Sequence, residues 1–396
     1  MKKLILVVIT FVVITFFIIS YKQELNNNES AFLNKEEEYR AIFISYLEFD
    51  KYIKDLDNDT SKANIIKMID NMDKNNFNMA ILHVRPFSDA IYKSDIFPYS
   101  RYVSTGEGVD PGYDILSFFI EEAHKKDIEV HAWVNPYRIR NNTDIKDISS
   151  SNPAYKYFGT NHIKIIEGKG IYYNPASEIV QDLIVSGVEE IIKNYDVDGI
   201  HFDDYFYPDD SIDLDNYNEY LNNGGNLTLS DYRLNNTSTL IKKVYEKIKS
   251  IDKDILFGIS PEGNINNNYD LNYIDTKKIT SEKGYIDYIM PQIYFGFFNE
   301  IMPFMETISM WNSLITIDDV KLIPALAFYK AGTIDEYAKS GKEEWVQYSN
   351  IIQRQVLISR NLSNYNGFSL FRYEYIFGEE LNNYQTSERD NLFEIL

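Results

Sequence analysis

Two adjacent aspartates, Asp203 and Asp204, end a short apolar stretch in the segment DVDGIHFDDYFYP, which begins at residue 196. Two carboxyl groups are the minimum set for cleaving a glycosidic bond, because one must be ionised as nucleophile or base while the other donates a proton. Such a pair could also belong to a metal site or brace a polar loop. The direction in which each side chain points decides among these roles.

Strand alternation separates the two aspartates, since successive side chains on a strand point to opposite faces. Asp203 shares one face with His201. Asp204 falls on the other face with Ile200 and Phe202, which belong against surrounding helices. The pattern therefore predicts that Asp203 points inward, whereas Asp204 could turn inward at the strand end or cap the following loop.

A second carboxyl group could come from a neighbouring strand. Glu262 follows the apolar run ILFGISP and is the candidate proton donor, although it could instead bond the asparagine-rich residues 264–268. Asp203 is the candidate for the ionised role, because Arg85 and His201 are expected nearby, where they would lower its pKa.

Polar and aromatic residues also gather at the ends of most apolar runs. Aromatic rings suit the C–H face of a sugar, whereas amide and guanidinium groups suit its hydroxyls. The candidate substrate-binding residues are Arg85, Asp89, Trp133, Asn135, Tyr137, Arg138, His201, Tyr205, Gln292 and Tyr294.

Eight near-continuous apolar runs read as strands buried on both faces. Helical patterns lie between them, strongest at 113–126, capped by Asp114, and at 177–195, capped by Ser177. Weaker helical patterns cover 61–75, 231–251 and 342–360. The strand runs are 41–47, 79–86, 129–138, 197–206, 255–263, 285–295, 322–329 and 367–374.

This alternation predicts an α/β fold, a (β/α)8 TIM barrel whose active site lies at the carboxyl ends of the strands. Long βα-loop insertions follow the second, third and fourth strands, at 87–112, 139–174 and 209–230. A doubly wound open sheet is the alternative, but no glycine-rich phosphate loop follows the first strand.

The N-terminal residues predict export. Two lysines precede the apolar run at residues 4–19, which predicts a signal anchor or a cleaved signal peptide at residues 1–21. A polar linker at 22–38 and one catalytic domain at 39–396 would follow. We therefore expect an extracytoplasmic protein, held at the membrane through residues 4–19 or secreted.

Composition excludes some classes of partner. The net charge of −21 argues against nucleic acid, and the absence of cysteine excludes thiolate metal ligands and disulfides. One alternative is a metal-dependent polysaccharide hydrolase or deacetylase, in which His83, His131 and His201 would bind the metal together with the aspartate pair. The favoured prediction is that the protein needs no metal or cofactor.

The chain resembles the glycosyl-hydrolase-like 10 family of exported bacterial proteins. The resemblance lies in YRAIFISYLEF, VRPFSDAIYKSDIFPYSRY, GVDPGYDILSFFIEEAHKKDIEVHAWVNPYR, VDGIHFDDYFYP, FGISPEGN and IDYIMPQIYFG. It implies a (β/α)8 barrel and carbohydrate hydrolysis, with bacterial cell-wall glycan, the strands of peptidoglycan, as the substrate. Arg85, Asp89, Asn135, Asp203 and Asp204 occupy its motif positions.

A more distant likeness is to the DxxDxDxE motif of family 18 chitinases. Asp198 and Asp203 fit that motif, but His201 and Tyr205 replace its other two acids, and Tyr205 stands at the position of the catalytic acid. The catalytic acid must therefore come from another part of the chain.

The function expected is an extracytoplasmic glycoside hydrolase. A catalytically inactive carbohydrate-binding barrel is the alternative.

Overall fold

The computed structural model describes residues 38–146 and 148–396. The predicted N-terminal anchor, and all but the last residue of the predicted linker, lie outside these residues. Within them, no helix is both long and apolar enough to cross a membrane. The strands of this part of the chain are β1 (Tyr39–Ile44), β2 (Met79–Arg85), β3 (Glu129–Val134), β4 (Arg138–Arg140), β5 (Ile163–Ile166), β6 (Gly170–Tyr173), β7 (Gly199–Phe202), β8 (Leu256–Ile259), β9 (Tyr288–Ile289), β10 (Lys321–Leu322), β11 (Ala325–Leu326) and β12 (Gly367–Leu370).

A nine-stranded, curled parallel sheet is the centre of this mixed α/β fold. Its order is β10-β9-β8-β7-β3-β2-β1-β12-β11, so neighbouring strands are joined by crossover connections. Each of the eight predicted apolar runs contains residues of this sheet, which confirms the predicted strand positions.

The two outer strands of the sheet, β10 and β11, are consecutive parts of one segment. Only Ile323 and Pro324 separate them. The Ile323 N–H donates to the carbonyl of Ile289 at 2.9 Å, and the Pro324 carbonyl accepts from the Ser369 N–H at 2.9 Å. The curl therefore brings both edges of the sheet to the same stretch of chain.

The helices cover the outer face of the sheet. The predicted N-caps are confirmed: Asp114 accepts from the Ser117 N–H at 3.0 Å and Ser177 from the Val180 N–H at 3.3 Å. The described helices are α1 (Tyr46–Tyr52), α2 (Asn58–Lys74), α3 (Ile115–His124), α4 (Glu178–Asn194), α5 (Leu214–Asn222), α6 (Leu229–Ile251), α7 (Ile265–Asp270), α8 (Thr276–Ser281), α9 (Phe304–Leu314), α10 (Glu344–Gln347), α11 (Ile351–Ser359), α12 (Glu374–Phe377) and α13 (Asn383–Phe393), with 3₁₀ turns at Pro153–Tyr157, Phe328–Lys330 and Glu336–Gly341. The helix predicted at 342–360 is thus two helices, α10 and α11.

Alternation along each strand divides the apolar core into two layers. Phe43, Ile81 and Trp133 belong to a smaller cluster on the concave side of the sheet. Leu82 and Phe202 belong to the larger cluster between the sheet and the helices. The concave side opens at the carboxyl ends of the strands, and this opening, which contains Asp203, is called the mouth below.

A small antiparallel sheet lies in the insertion that follows β3, in the order β4-β6-β5. Lys169, between β5 and β6, donates to the Pro208 carbonyl at 2.9 Å and to the Asp209 carboxylate at 3.1 Å. Lys164 donates to the Ser211 carbonyl at 3.3 Å. The insertion thus contacts residues 208–211, which follow Asp203 and Asp204 in the same loop.

Candidate active site

Asp203 lies just beyond the carboxyl end of β7, inside the mouth. It is 3% exposed, and its Oδ2 accepts hydrogen bonds from Trp133 Nε1 at 3.1 Å and Asn135 Nδ2 at 2.9 Å. Burial raises the pKa of Asp203, while the charge of Arg138 and these two hydrogen bonds act to lower it. Two neutral donors and one cation therefore favour the ionised form of this carboxyl against the cost of its burial.

Asp204 is half-buried beside Asp203. Burial, followed by the negative charge of Asp203, raises the pKa of Asp204 to about 7, and the charge of Glu262 adds to the increase. A hydrogen bond from the Gln292 side chain acts in the opposite direction. Because the charge of Asp203 opposes the ionisation of Asp204, the two carboxyls favour keeping one proton near neutral pH, and the surroundings favour Asp204 as its carrier.

Glu262 lies shortly after β8, the strand that pairs with β7. It is half-buried, and its carboxylate accepts hydrogen bonds from Asn267 Nδ2 at 2.7 Å and Asn272 Nδ2 at 3.4 Å. Its side chain is thus held by the asparagine-rich segment, the alternative that the sequence left open. It acts on the site through its charge on Asp204.

Arg138 reaches the mouth from the first residue of β4. Its guanidinium carbon lies 4.5 Å from the ring centroid of Phe87, 4.9 Å from that of Tyr205 and 5.8 Å from that of Tyr46. Asn135 Oδ1 accepts the Arg138 N–H at 2.9 Å, so the residue that binds Asp203 also fixes the turn that carries Arg138.

Aromatic rings line other parts of the mouth. Tyr205 is 41% exposed. Tyr294 is half-buried, with its ring centroid 5.8 Å from that of Tyr329 and 5.9 Å from that of Phe371. Burial raises the pKa of Tyr294 well above its usual range, and the charge of Asp204 contributes. Exposed and half-exposed rings beside a carboxyl pair suit the stacking of a sugar.

His201 lies beneath the site, and Gln292 lies beside Asp204. His201 is fully buried; its Nε2 lies 2.8 Å from Ser260 Oγ and its Nδ1 lies 3.1 Å from the Tyr288 hydroxyl. Burial holds the pKa of His201 well below its usual range, so the ring is neutral. Gln292 Nε2 donates to the Ser260 carbonyl at 2.8 Å. Both side chains are anchored to Ser260, and neither brings a positive charge to Asp203.

The expectation that Arg85 would lie beside Asp203 is wrong. The pairing of β2 with β3 shifts register between His83 and Arg85. Beyond this irregularity the buried Arg85 guanidinium lies 4.4 Å from the Phe97 ring, and it packs so closely on Gly187 of α4 that a Cβ there would collide with it. The cation near Asp203 is Arg138 instead.

Asp89 and Tyr137 also lie away from the mouth. Asp89 is fully buried, with Oδ2 3.9 Å from Arg140 Nη1, in the base of the loop that follows β2. Tyr137 is fully buried in the outer core, and its neighbour Arg138 takes the place in the mouth. The structure thus gathers Trp133, Asn135, Arg138, Tyr205, Gln292 and Tyr294 around the aspartate pair, with His201 beneath it.

Three mouth residues were not among the sequence candidates. Tyr46 follows the end of β1, Tyr329 lies just after β11, and Phe371 follows β12. The same strand-end rule, applied to the first and seventh apolar runs, would have found Tyr46 and Tyr329.

The histidines of the metal hypothesis do not converge on the aspartate pair. His131 Nε2 lies 3.2 Å from Glu129 Oε2, near the opposite end of its strand, and its Nδ1 lies 2.9 Å from the Tyr288 hydroxyl. Among the residues that the structure describes, no three His, Asp or Glu side chains are arranged to hold a metal ion.

A buried ion pair closes the loop after Asp204. Arg233 of α6 is 2% exposed, and its Nε and Nη2 donate to the Asp213 carboxylate at 2.8–3.1 Å. Arg233 Nη1 also donates to the Tyr273 hydroxyl at 2.8 Å. Together with Lys169, this pair fixes the course of residues 203–213.

A curled parallel sheet with paired carboxyls and aromatic rings at its carboxyl edge is an arrangement that glycoside hydrolases use. The sequence signature of the family described as "Glycosyl hydrolase-like 10" matches residues 38–346, and the chain belongs to this family.

Two relatives agree with this membership, and a solved structure shares the fold. The chain is 35% identical over 350 residues to "Glycosyl hydrolase YngK" of Bacillus subtilis (strain 168), a match that covers 83% of this chain and 66% of that protein, just under two thirds of its length. It is 32% identical over 350 residues to "Glycosyl hydrolase DigH" of Escherichia coli (strain K12), covering 81% of this chain and 79% of that one. An alpha-L-fucosidase, isoenzyme 2 from Paenibacillus thiaminolyticus, shares the fold with a TM-score of 0.56 at 14% identity, over 90% of this chain and 49% of that chain.

Proposed function

We propose that this protein is a glycoside hydrolase that uses Asp203 as the ionised carboxylate and Asp204 as the general acid. The observation that carries the proposal is the contrast between the two carboxyls. Asp203 receives hydrogen bonds from Trp133 and Asn135 and the charge of Arg138, whereas burial and Asp203 itself raise the pKa of Asp204 to about 7. A pair of carboxyls whose surroundings favour opposite protonation states is the arrangement that glycosidic cleavage needs.

This assignment moves the acid role from Glu262 to Asp204. Glu262 is held by Asn267 and Asn272, and its negative charge helps Asp204 to keep its proton. Gln292, fixed on the Ser260 carbonyl, limits the increase in that pKa and orients the acid.

The sheet that carries the pair is, in this proposal, a (β/α)8 barrel. β10 and β11 count as one interrupted strand, which pairs with β9 on one side and with β12 on the other. Eight strand segments then surround the smaller apolar cluster, and the aspartate pair sits at the carboxyl end of the fourth, where barrel enzymes place their catalytic groups.

The proposed substrate is the glycan of the bacterial cell wall. Two lysines followed by an apolar run at residues 4–19 favour export, through a signal anchor or a cleaved signal peptide, and the resemblance to exported relatives supports the same location. The rings of Tyr205, Tyr294 and Trp133 suit a sugar chain. The proposed location is therefore outside the cytoplasm, beside that polymer.

The test is the release of saccharides from purified peptidoglycan by the full-length protein. Mass spectrometry should detect new reducing ends, and a chelator should leave their rate unchanged. No product at any protein concentration, with binding retained, would favour an inactive carbohydrate-binding barrel. Loss of activity with the chelator would favour a metal-dependent hydrolase.

A further inference from the structure

Arg140 is a buried cation between the two long insertions that follow β2 and β3. Its side chain is 1% exposed, and its Nη2 forms an ion pair with Oε2 of Glu107, whose side chain is 3% exposed. Its Nη1 lies 3.9 Å from Oδ2 of the fully buried Asp89. Both carboxyls belong to the insertion after β2, whereas Arg140 ends β4 in the insertion after β3. One guanidinium therefore joins the two insertions through charge.

Hydrogen bonds extend this contact between the insertions. Asn152 Nδ2 donates to Glu107 Oε1 at 2.7 Å and to the Ser88 carbonyl at 2.8 Å. Ser88 Oγ donates to Asn152 Oδ1 at 2.8 Å and lies 2.7 Å from the Tyr173 hydroxyl. Together these side chains are called the insertion network: Ser88, Asp89, Glu107, Arg140, Asn152 and Tyr173.

Arg138 lies against the residues that directly precede this network. Its Nε donates to the Pro86 carbonyl at 3.2 Å, and its guanidinium carbon lies 4.5 Å from the ring centroid of Phe87. On the other side, Arg138 and Arg140 are the two ends of the three-residue strand β4. The insertion network thus fixes both pieces of chain that Arg138 depends on, and the charge of Arg138 acts on the carboxyl of Asp203.

We infer that Arg140 is a positioning residue, which holds Arg138 beside Asp203 by joining residues 86–89 to β4. A guanidinium between two buried carboxyls has one favourable place, because a displacement would leave a buried charge unpaired. The inference rests on the proposed glycosidase function. It adds a residue outside the mouth that acts on the reaction through Arg138.

The test measures the acidic limb of the kcat/KM profile, which reports the ionisation of Asp203. The double variant Glu107→Gln/Arg140→Met leaves one unpaired buried carboxyl rather than two. It should move the acidic limb to higher pH by about half a unit to one unit, because Asp203 loses part of the influence of Arg138. Arg140→Lys keeps the charge and should restore most of the parent profile, and Glu107→Gln alone should move the limb far less.

A double-mutant cycle separates positioning from a direct effect of the network. Arg138→Met alone should raise the acidic limb, and Glu107→Gln/Arg140→Met added to it should move the limb no further, because the group that is positioned has gone. Additive shifts would overturn the inference, since the network would then act on Asp203 without Arg138.

A purely structural role would also overturn the inference, and it has its own signature. In that case Glu107→Gln/Arg140→Met would lower the unfolding temperature and leave the acidic limb in place. The control for lost stability is Ile248→Ala, which makes a cavity in the outer core near the C-terminus of α6. It should lower the unfolding temperature without moving the limb. If Glu107→Gln/Arg140→Met does not fold, the same shift is expected from that variant with Asp89→Asn added, which has no unpaired buried charge.

Absence of cleavage by the parent protein would contradict the proposed function itself, and the positioning is then tested without a substrate. Trp133 donates to Asp203, so the pH titration of its fluorescence reports the same carboxyl, and the signal is identified by its loss in Trp133→Phe. The midpoint should rise in Glu107→Gln/Arg140→Met. An unchanged midpoint would overturn the role of Arg140.

Discussion

Trp133 Nε1 donates a hydrogen bond to Asp203 Oδ2 at 3.1 Å, from the neighbouring strand β3. The indole is 7% exposed and its plane is fixed by the stacked ring of His83. The bond links the carboxyl group to the apolar cluster on the concave side of the sheet. The core of the fold therefore takes part in setting the protonation of Asp203.

Replacement of Trp133 by Phe tests that link, because Phe keeps an aromatic ring but removes the donor. A hydrogen bond to a charged group contributes about 1.5–3 kcal/mol, so its loss should raise the pKa of Asp203 by about one unit or more. The acidic limb of the kcat/KM profile should move to higher pH by that amount, while the basic limb should move far less. An unmoved acidic limb would mean that Asp203 does not set it.

The pH dependence of the parent protein follows from the pair. Activity should rise with pH as Asp203 ionises, at a pKa that burial holds above the usual value for aspartate. It should fall as pH passes about 7, where Asp204 loses its proton. The pKa values that the two limbs of the profile report belong to the pair of carboxyls jointly, because the two groups interact. A rate that still increases at pH 8 would be incompatible with Asp204 as the acid.

Gln292 provides a separate test of the basic limb. Its amide favours the ionised form of Asp204, so Gln292→Met should raise the pKa of Asp204 and shift the basic limb upward by about half a unit to one unit. The control is Gln353→Met on α11, which should leave the profile unchanged. A downward shift of the basic limb, or no shift, would contradict the effect of Gln292 on the pKa of Asp204.

The Arg233–Asp213 pair should contribute to stability as well as to the course of the loop. Arg233→Met leaves Asp213 as an unpaired buried charge, which typically costs about 3–5 kcal/mol. Urea unfolding should show that loss. The double variant with Asp213→Leu should recover most of it, because neither charge then remains. A loss below about 1 kcal/mol in the single variant would mean that solvent or Lys169 compensates the carboxylate.

Sequence patterns predicted the strands and two helix caps because local rules govern them. Asp114 and Ser177 begin their helices as cap residues should, and all eight apolar runs form strands. The alternation of side chains along a strand also predicted correctly that Asp203 points inward, where its carboxyl group accepts hydrogen bonds from Trp133 and Asn135.

Other features of the site depend on contacts that no local pattern encodes. The register shift before Arg85 turns that side chain toward α4, and the turn fixed by Asn135 sends Arg138 into the mouth instead. The pKa of Asp204 depends on Gln292 and on the charge of Asp203. The pairing of β2 with β3 and the contact of Gln292 with Asp204 join residues distant in the chain, whereas Asn135 lies three residues from Arg138.

The most direct test of the account separates the two aspartates by the leaving group of the substrate. Asp204→Asn should slow cleavage of the natural glycan about 10²–10⁴-fold, because it removes proton donation, yet retain most of the rate on an aryl glycoside whose phenol leaves without a proton. Asp203→Asn should abolish cleavage of both substrates, and Asp390→Asn, an exposed control, should affect neither. Equal losses on both substrates for Asp204→Asn, or full activity in Asp203→Asn, would contradict the assignment.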